Sequence, residues 1–93
     1  MVDRPTVSKA LFGNAYLLDV ASELRQSRVA LTARAIAAQL GIADAVVRPI
    51  LLRLVAAGII NAVVSSDRSK PYAIIKGKFW TLISDLDRQL PRA

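Results

Sequence analysis

The clearest pattern of apolar and polar positions lies in the middle of the chain and predicts two helices. Apolar side chains recur at helical spacing over residues 33–40, after Thr32 and before Gly41, which suit a helix N-cap and a helix stop. A second periodic run begins at Asp44 and continues to Gly58. Only a tight turn separates the two predicted helices.

Pro49 is unexpected inside the second of these helices. A proline lacks a backbone donor and costs about 3 kcal/mol in a helix interior. Helical periodicity places Val47 and Leu51 inward and Pro49 outward, on the same side as Ala45 and Leu52. Two alternatives follow: an irregular first turn, which we favour, or a bend of the helix at the proline.

The two ends of the chain carry weaker patterns. Residues 1–8 are polar and include Pro5, so we expect a loose N-terminal arm. A first helix from residue 8 or 9 to Gln26 has apolar side chains on two opposite sides, so both sides need to be covered. A last helix follows Gly77 and ends before Pro91, with its apolar side chains in a narrow arc.

Three short segments predict β-structure. Residues 29–31 suit a short strand, and residues 59–66 and 71–76 suit a hairpin. The predicted order is α-β-α-α-β-β-α, a mainly α fold with a small β-hairpin (α+β). Two helices joined by a tight turn and followed by a hairpin form a winged helix-turn-helix. The chain has 93 residues, enough for one such domain, which we place at residues 9–90.

Positive charge is concentrated in the same part of the sequence. The net charge of the chain is +6, but residues 25–78 hold nine basic and two acidic side chains, which leaves the two ends together at −1. An electropositive middle segment is expected of a surface that binds a polyanion. A basic hairpin tip is suited to reach phosphates or the minor groove of DNA.

Residues 31–60 resemble the helix-turn-helix of winged-helix transcription regulators, in particular the ArsR-like and MarR-like families. The residues that carry the resemblance are Thr32, Ile36, Ala37, Leu40, Gly41, Ile42, Val47, Ile50 and Leu54, with Arg68, Lys70 and Tyr72 in the hairpin. The resemblance implies a sequence-specific regulator of transcription, a repressor, that binds double-stranded DNA as a homodimer. Its second central helix would enter the major groove, while the wing contacts phosphates or the minor groove.

The candidate residues fall into two sets. Those expected to contact DNA are Arg28, Arg34, Ala45, Val46, Arg48, Pro49, Leu52, Arg53, Arg68, Ser69 and Lys70. By resemblance, the first and last helices form the dimer, through Leu11, Phe12, Tyr16, Val20, Phe79, Trp80, Ile83, Leu86 and Leu90. Arg48 is suited to read guanine, and Ala45 and Val46 to contact thymine methyl groups.

Other classes of function are disfavoured by what the sequence lacks. The chain has no cysteine and no histidine, so thiolate and imidazole metal ligands and the commonest general base are missing. It also has no glycine-rich phosphate-binding loop, so we expect neither an enzyme nor a bound metal or cofactor. Without a long apolar run or a signal-peptide pattern, we expect no membrane span. We expect a cytoplasmic protein that is nucleoid-associated when it is bound to DNA.

One alternative function remains open at this point. Winged helices also serve as protein–protein interaction modules or adaptors that do not bind DNA. The outward side of the second central helix is apolar at Ala45, Pro49, Leu52 and Ala56, and exposed apolar patches often mark partner sites. A second protein could therefore dock there, in place of DNA or in addition to it.

Overall fold

The computed structural model describes residues 2–63 and 70–91, which form five helices and a two-stranded hairpin. In chain order the elements are α1 (Arg4–Phe12), α2 (Leu17–Gln26), α3 (Ala33–Leu40), α4 (Asp44–Ala56), β1 (Ile60–Ala62), β2 (Tyr72–Ile74) and α5 (Lys78–Gln89). The two strands pair antiparallel, with Asn61 opposite Ala73. The predicted mainly α fold with a small hairpin is confirmed, whereas the predicted turn at Arg68 and Ser69 lies outside the described residues.

The N-terminal segment is a helix, so the expectation of a loose arm over residues 1–8 is wrong from Arg4 onward. Asp3 caps α1, because its carboxylate accepts the Thr6 N–H at 3.0 Å. Hydrogen bonding from the Thr6 side chain, together with that from the Thr6 N–H, holds the pKa of Asp3 below its ordinary value. Pro5 lies in the first turn, where its missing N–H would have had no partner within the helix.

The predicted long first helix is divided into α1 and α2 by a corner. Gly13 ends α1 with φ of 74°, a left-handed conformation that glycine adopts without strain. The buried Ser8 hydroxyl donates to the Asn14 carbonyl at 2.6 Å and accepts the Leu18 N–H at 2.9 Å. One serine therefore satisfies backbone groups on both sides of the corner.

The predicted strand at residues 29–31 is reduced to a single pair. The Leu31 N–H donates to the Tyr72 carbonyl at 3.0 Å, and the Tyr72 N–H donates to the Leu31 carbonyl at 2.8 Å. These two hydrogen bonds use both backbone polar groups of Tyr72. Leu31 therefore pairs with the edge of β2 that faces away from β1. The contact ties the chain before α3 to the hairpin.

The hydrophobic core is built around α2, which packs against every other helix and against β2. Its buried residues Leu17, Leu18, Val20, Ala21 and Leu24 cover a wide arc of the helix. Within α2, the two-sided apolar pattern predicted for the first helix is therefore covered by one chain, whereas Leu11 and Tyr16, which precede α2, are exposed. From α4 the predicted inward residues Val47, Ile50, Leu51 and Leu54 complete the core, together with Ile36 and Ile83.

A buried network of charged and polar groups joins α1, α2 and α5. Arg4 is 8% exposed, and its guanidinium donates to Asp19 Oδ1 at 2.7 Å, to Ser22 Oγ at 3.0 Å and to Asp87 Oδ1 at 3.0 Å. It also donates to the Leu90 carbonyl at the end of α5. Because a buried cation needs partners for its donors, these contacts restrict how the three helices can pack.

Asp87 is the acceptor at the centre of this network, which we call the Arg4–Asp87 network. It accepts the Ser22 hydroxyl at 2.6 Å and the Arg25 guanidinium at 2.9 Å, in addition to Arg4. Burial acts to raise the pKa of Asp87, but the hydrogen bonds from Ser22, Arg25 and Arg4 outweigh it and lower that pKa. Asp87 is therefore held as a carboxylate.

Replacing Asp87 by asparagine keeps the shape of the side chain and removes its charge. We expect Asp87→Asn to lower the free energy of unfolding by about 2–4 kcal/mol at neutral pH, measured by urea denaturation, because Arg4 loses a buried partner.

Since the pKa of Asp87 is lowered by folding, the unfolded chain takes up the proton first. The stabilisation that the Asp87 carboxylate provides is complete above about pH 4 and is lost as the pH falls below that. Asp87→Asn should therefore lose less stability than the wild type when the solution is acidified.

Asp85→Asn is the matched control on the same helix. Asp85 pairs with Arg88, but its side chain is 44% exposed. Exposed ion pairs contribute less than about 1 kcal/mol, so this change should have little effect. Equal losses for the two variants would contradict the central position that we assign to Asp87.

Candidate nucleic-acid interface

The turn between α3 and α4 is built as the sequence predicts. Thr32 caps α3, since its hydroxyl accepts the Ala35 N–H at 3.1 Å. Gly41 ends the helix with φ of 69°, and the Ile42 N–H returns to the Ala37 carbonyl at 3.0 Å. Ala37 itself is 2% exposed. These local features fix α4 across α3 and leave one side of α4 facing outward.

The first turn of α4 contains a shared hydrogen bond, an arrangement that is common at helix ends, and the irregular first turn that we favour for Pro49 stays a prediction. The Ala43 carbonyl accepts two donors, the Val46 N–H at 3.0 Å and the Val47 N–H at 3.4 Å. The helix then continues through Pro49 to its end. Because proline has no N–H, the Ala45 carbonyl loses its usual helical partner, and both residues lie exposed on the outward side.

The outward side of α4 borders an open groove of about 430 Å³ that contains three basic side chains. The groove is lined by Thr32, Ala33, Arg34, Arg48, Leu52, Lys70 and Tyr72. We call it the cationic groove. Arg34 comes from α3, Arg48 from α4 and Lys70 from the residues just before β2, and all three are exposed. The fold therefore brings together cations that are far apart in the sequence.

Local electrostatics favour an anion in the cationic groove. Arg34 lies in the first turn of α3, which contains no acidic residue. A helix N-terminus already carries partial positive charge, so the arginine adds charge of the same sign. Asp44 lies 3.8 Å from the Arg48 guanidinium, but this exposed pair one turn apart neutralises little of the charge.

The structure places the predicted DNA-contact residues in different surroundings. Arg34, Arg48, Leu52 and Lys70 line the cationic groove, and the exposed Ala45 and Pro49 lie on the same helix, α4. Arg28 is exposed in the loop after α2, outside the lining of the groove. Thr32, Ala33 and Tyr72 line the groove although they are not among the predicted contacts. The sequence contains one signal for Thr32 and Ala33: the N-cap pattern at Thr32 marks the start of a helix, and helix N-termini favour anions.

Two of the predicted contact residues, Arg53 and Val46, also have partners within the chain. Arg53 turns toward α1, where its guanidinium donates to the Phe12 carbonyl at 2.8 Å, so it supports a helix end instead of facing the groove. Val46 is half-buried and packs against the core, so its methyl groups are already in contact with the protein.

The predicted dimer residues also separate into two groups. Val20, Trp80, Ile83 and Leu86 are buried in the core of the single chain, so their apolar character needs no second copy, and the prediction that they form an interface is wrong. Leu11 and Tyr16 are 56% and 41% exposed. The remaining residues, Phe12, Phe79 and Leu90, are half-buried and pack against the core.

A second groove, largely apolar, lies between α1, α5 and the end of α4. Its volume is about 360 Å³, and it is lined by Leu11, Phe12, Leu17, Arg53, Leu54, Ala57, Ile59 and Phe79. The rings of Phe12 and Phe79 meet edge to face, with centroids 6.2 Å apart. Part of the predicted dimer set, including the exposed Leu11, therefore borders this groove.

Residues 2–63 and 70–91 contain no group of three or more side chains arranged to hold a metal ion. In the same two ranges, no helix has both the length and the apolar composition needed to cross a membrane.

Comparison with known proteins gives a similarity of fold. No protein-family model matches the chain, and no curated protein matches it. The crystal structure of MepR, a transcription regulator of the Staphylococcus aureus multidrug efflux pump MepA, matches 92% of this chain and 69% of its own, with a TM-score of 0.67 and 15% identity. A point mutant of S. aureus MepR matches 94% of this chain and 69% of its own, with a TM-score of 0.66 and 18% identity. The predicted winged helix-turn-helix fold is confirmed.

Pro49 gives a direct test of how α4 is built. We expect Pro49→Ala to raise the free energy of unfolding by about 1–3 kcal/mol, because alanine restores the donor for the Ala45 carbonyl and relieves crowding in the helix interior. Thermal unfolding would measure the change. Pro5→Ala is the matched control, since Pro5 lies in the first turn of α1 and removes no helical hydrogen bond. A stabilisation from Pro5→Ala as large as that from Pro49→Ala would contradict this account.

Proposed function

We propose that the protein is a transcription regulator that binds double-stranded DNA as a homodimer, with α4 in the major groove and the wing on phosphates or the minor groove. The observation that carries this proposal is the convergence of Arg34, Arg48 and Lys70 on one open groove. Phosphates of a duplex match these cations in charge. The similarity of fold to a transcription regulator supports the same class of function.

The three cations are assigned different contacts. Arg34 lies at the N-terminal end of α3, where backbone N–H groups and the helix dipole also favour a phosphate. Lys70 lies beside the hairpin and suits a phosphate on the other side of the groove. Arg48 projects from α4, with a side chain that is 67% exposed, and its two-pronged guanidinium fits guanine O6 and N7.

Other predicted contacts stay within the proposal. Arg28 is exposed and is a candidate for a phosphate at the edge of the interface. Ala45, Pro49 and Leu52 would face the bases without donating hydrogen bonds. Arg68 and Ser69, outside the described residues, remain candidates by their place in the predicted wing.

A homodimer would bring two copies of α4 to one duplex. We assign its interface to the exposed Leu11 and Tyr16 and to the half-buried Phe12, Phe79 and Leu90. A two-fold dimer of this class of protein contacts half-sites about one helical turn of DNA apart. A dimer bound across a promoter acts as a repressor by excluding polymerase, in the cytoplasm, where it would associate with the nucleoid.

A second function is favoured by one observation, the 63% exposure of Leu52 on the outward side of α4. An apolar side chain of this size suits a protein partner, so α4 would then serve as the docking surface of an interaction module. Salt distinguishes the two functions. Binding to several phosphates weakens steeply as salt rises, whereas an apolar protein interface does not.

The DNA proposal is tested by Arg48→Ala and Lys70→Ala, with a duplex of random sequence at two salt concentrations and fluorescence anisotropy as the measurement. We expect Lys70→Ala to weaken binding to all sequences and to reduce the salt slope by about 1, because one phosphate is no longer neutralised. Arg48→Ala should relax the preference for one base pair, at a cost of about 1–3 kcal/mol on a selected site.

Arg88→Ala is the matched control, because it removes the same charge from an exposed position on α5 that does not line the cationic groove. Its affinity for DNA should stay close to that of the wild type. If all three variants bind DNA equally well, the assignment of the cationic groove is wrong.

The dimer is tested separately by sedimentation of the protein at micromolar concentration. We expect twice the mass of one chain for the wild type and a monomer for Leu11→Glu, since a carboxylate would be buried at the apolar interface. Val29→Glu, at a position that is 72% exposed and outside the assigned interface, should remain a dimer. A monomeric wild type would rule out the dimer.

A further inference from the structure

The cationic groove contains one large apolar side chain whose exposure the packing of the chain does not explain. Leu52 is 63% exposed and follows Arg48 by one turn on α4, and both residues line the groove. Ala45 and Pro49, exposed earlier on the same helix, carry no hydrogen-bonding side-chain group. Arg53 is held by the Phe12 carbonyl, which leaves Arg48 as the groove-lining donor that α4 supplies.

The major groove of DNA offers a matching apolar group. Each thymine presents a C5 methyl group there, and 5-methylcytosine presents the same group at the same ring position. An apolar side chain in the groove distinguishes these bases from uracil and from cytosine by burying the methyl group. Hydrogen bonds are not required for this distinction.

We propose that Leu52 reads major-groove methyl groups, so that the preferred duplex carries a methylated pyrimidine opposite this residue. The inference rests on the proposed DNA-binding function and names the chemistry that gives it specificity. Charge complementarity favours a duplex over a protein at this position. Arg34, Arg48 and Lys70 line the same groove as the leucine, and a duplex supplies both phosphates for the cations and a methyl group for the leucine.

The experiment compares a duplex of alternating dA and dT with a duplex of equal length made of alternating dA and dU. The two have the same phosphates and the same minor-groove groups and differ by the C5 methyl. At a fixed salt concentration we expect the wild type to bind the thymine duplex more tightly, by about fourfold for each methyl group that is buried. A duplex of alternating dG and 5-methyl-dC should likewise be preferred over one of dG and dC.

Variants of Leu52 connect this preference to the residue. We expect Leu52→Ala to lose most of the preference for the thymine duplex over the uracil duplex, whereas Leu52→Met, which keeps a long apolar side chain, retains it. Because Leu52 is exposed, neither change disturbs the core, and circular dichroism would check the fold. Leu82→Ala, at an exposed position on α5, is the matched control and should keep the preference.

Three results would overturn the inference. Equal binding of the thymine and uracil duplexes by the wild type, with a normal salt dependence, rejects methyl readout and leaves the proposed DNA-binding function standing. An unchanged preference in Leu52→Ala shows that another residue reads the methyl group. Failure to bind any duplex at low salt rejects the DNA-binding function together with the inference, and favours a protein partner for this side of α4.

Discussion

The placement of α1 depends on one buried cation, the guanidinium of Arg4. It needs several partners at once, and they come from α2 and from the C-terminal end of α5. The buried residues of α1 are Arg4 and Ser8, both polar. This helix is therefore positioned by hydrogen bonds whose geometry is specific, and apolar burial contributes less to its placement. A hydrophobic contact could slide along the neighbouring helices, whereas a guanidinium with fixed acceptors cannot.

The same helix connects the Arg4–Asp87 network to the helix that we assign to DNA. The N-terminal end of α1 is held by that network, and Ser8 binds the corner between α1 and α2. At its other end the Phe12 carbonyl accepts Arg53 from α4. Hydrogen bonds along α1 thus join α5 to α4 in addition to the core packing. Arg53, which its charge alone would assign to DNA, therefore also links α4 to the end of α1.

Local sequence signals explain which parts of the fold were predictable. The caps at Thr32 and Gly41 and the apolar period of α4 are local, so the helix-turn-helix followed from the sequence. The start of α1 at Arg4 did not follow from the sequence. Arg4 is polar, so no apolar period marks this residue as buried, and its acceptor Asp87 lies far away in the chain. The exposed cations of the candidate site, such as Arg48, can be identified from the basic residues of the sequence alone. Arg53 has the same charge, but its partner is 41 residues distant and only the tertiary structure shows it.

A shared fold and a shared DNA site are different properties. Identities of 15% and 18% to MepR accompany a similar fold, and a fold alone does not determine what the outward side of α4 binds. Three exposed cations line the cationic groove, and positive charge of this kind favours a polyanion over an uncharged partner. This charge is the physical reason why we propose DNA instead of an apolar protein partner. On that proposal, specificity comes from few hydrogen bonds and from apolar contact, because α4 lines the cationic groove with one arginine and one exposed leucine.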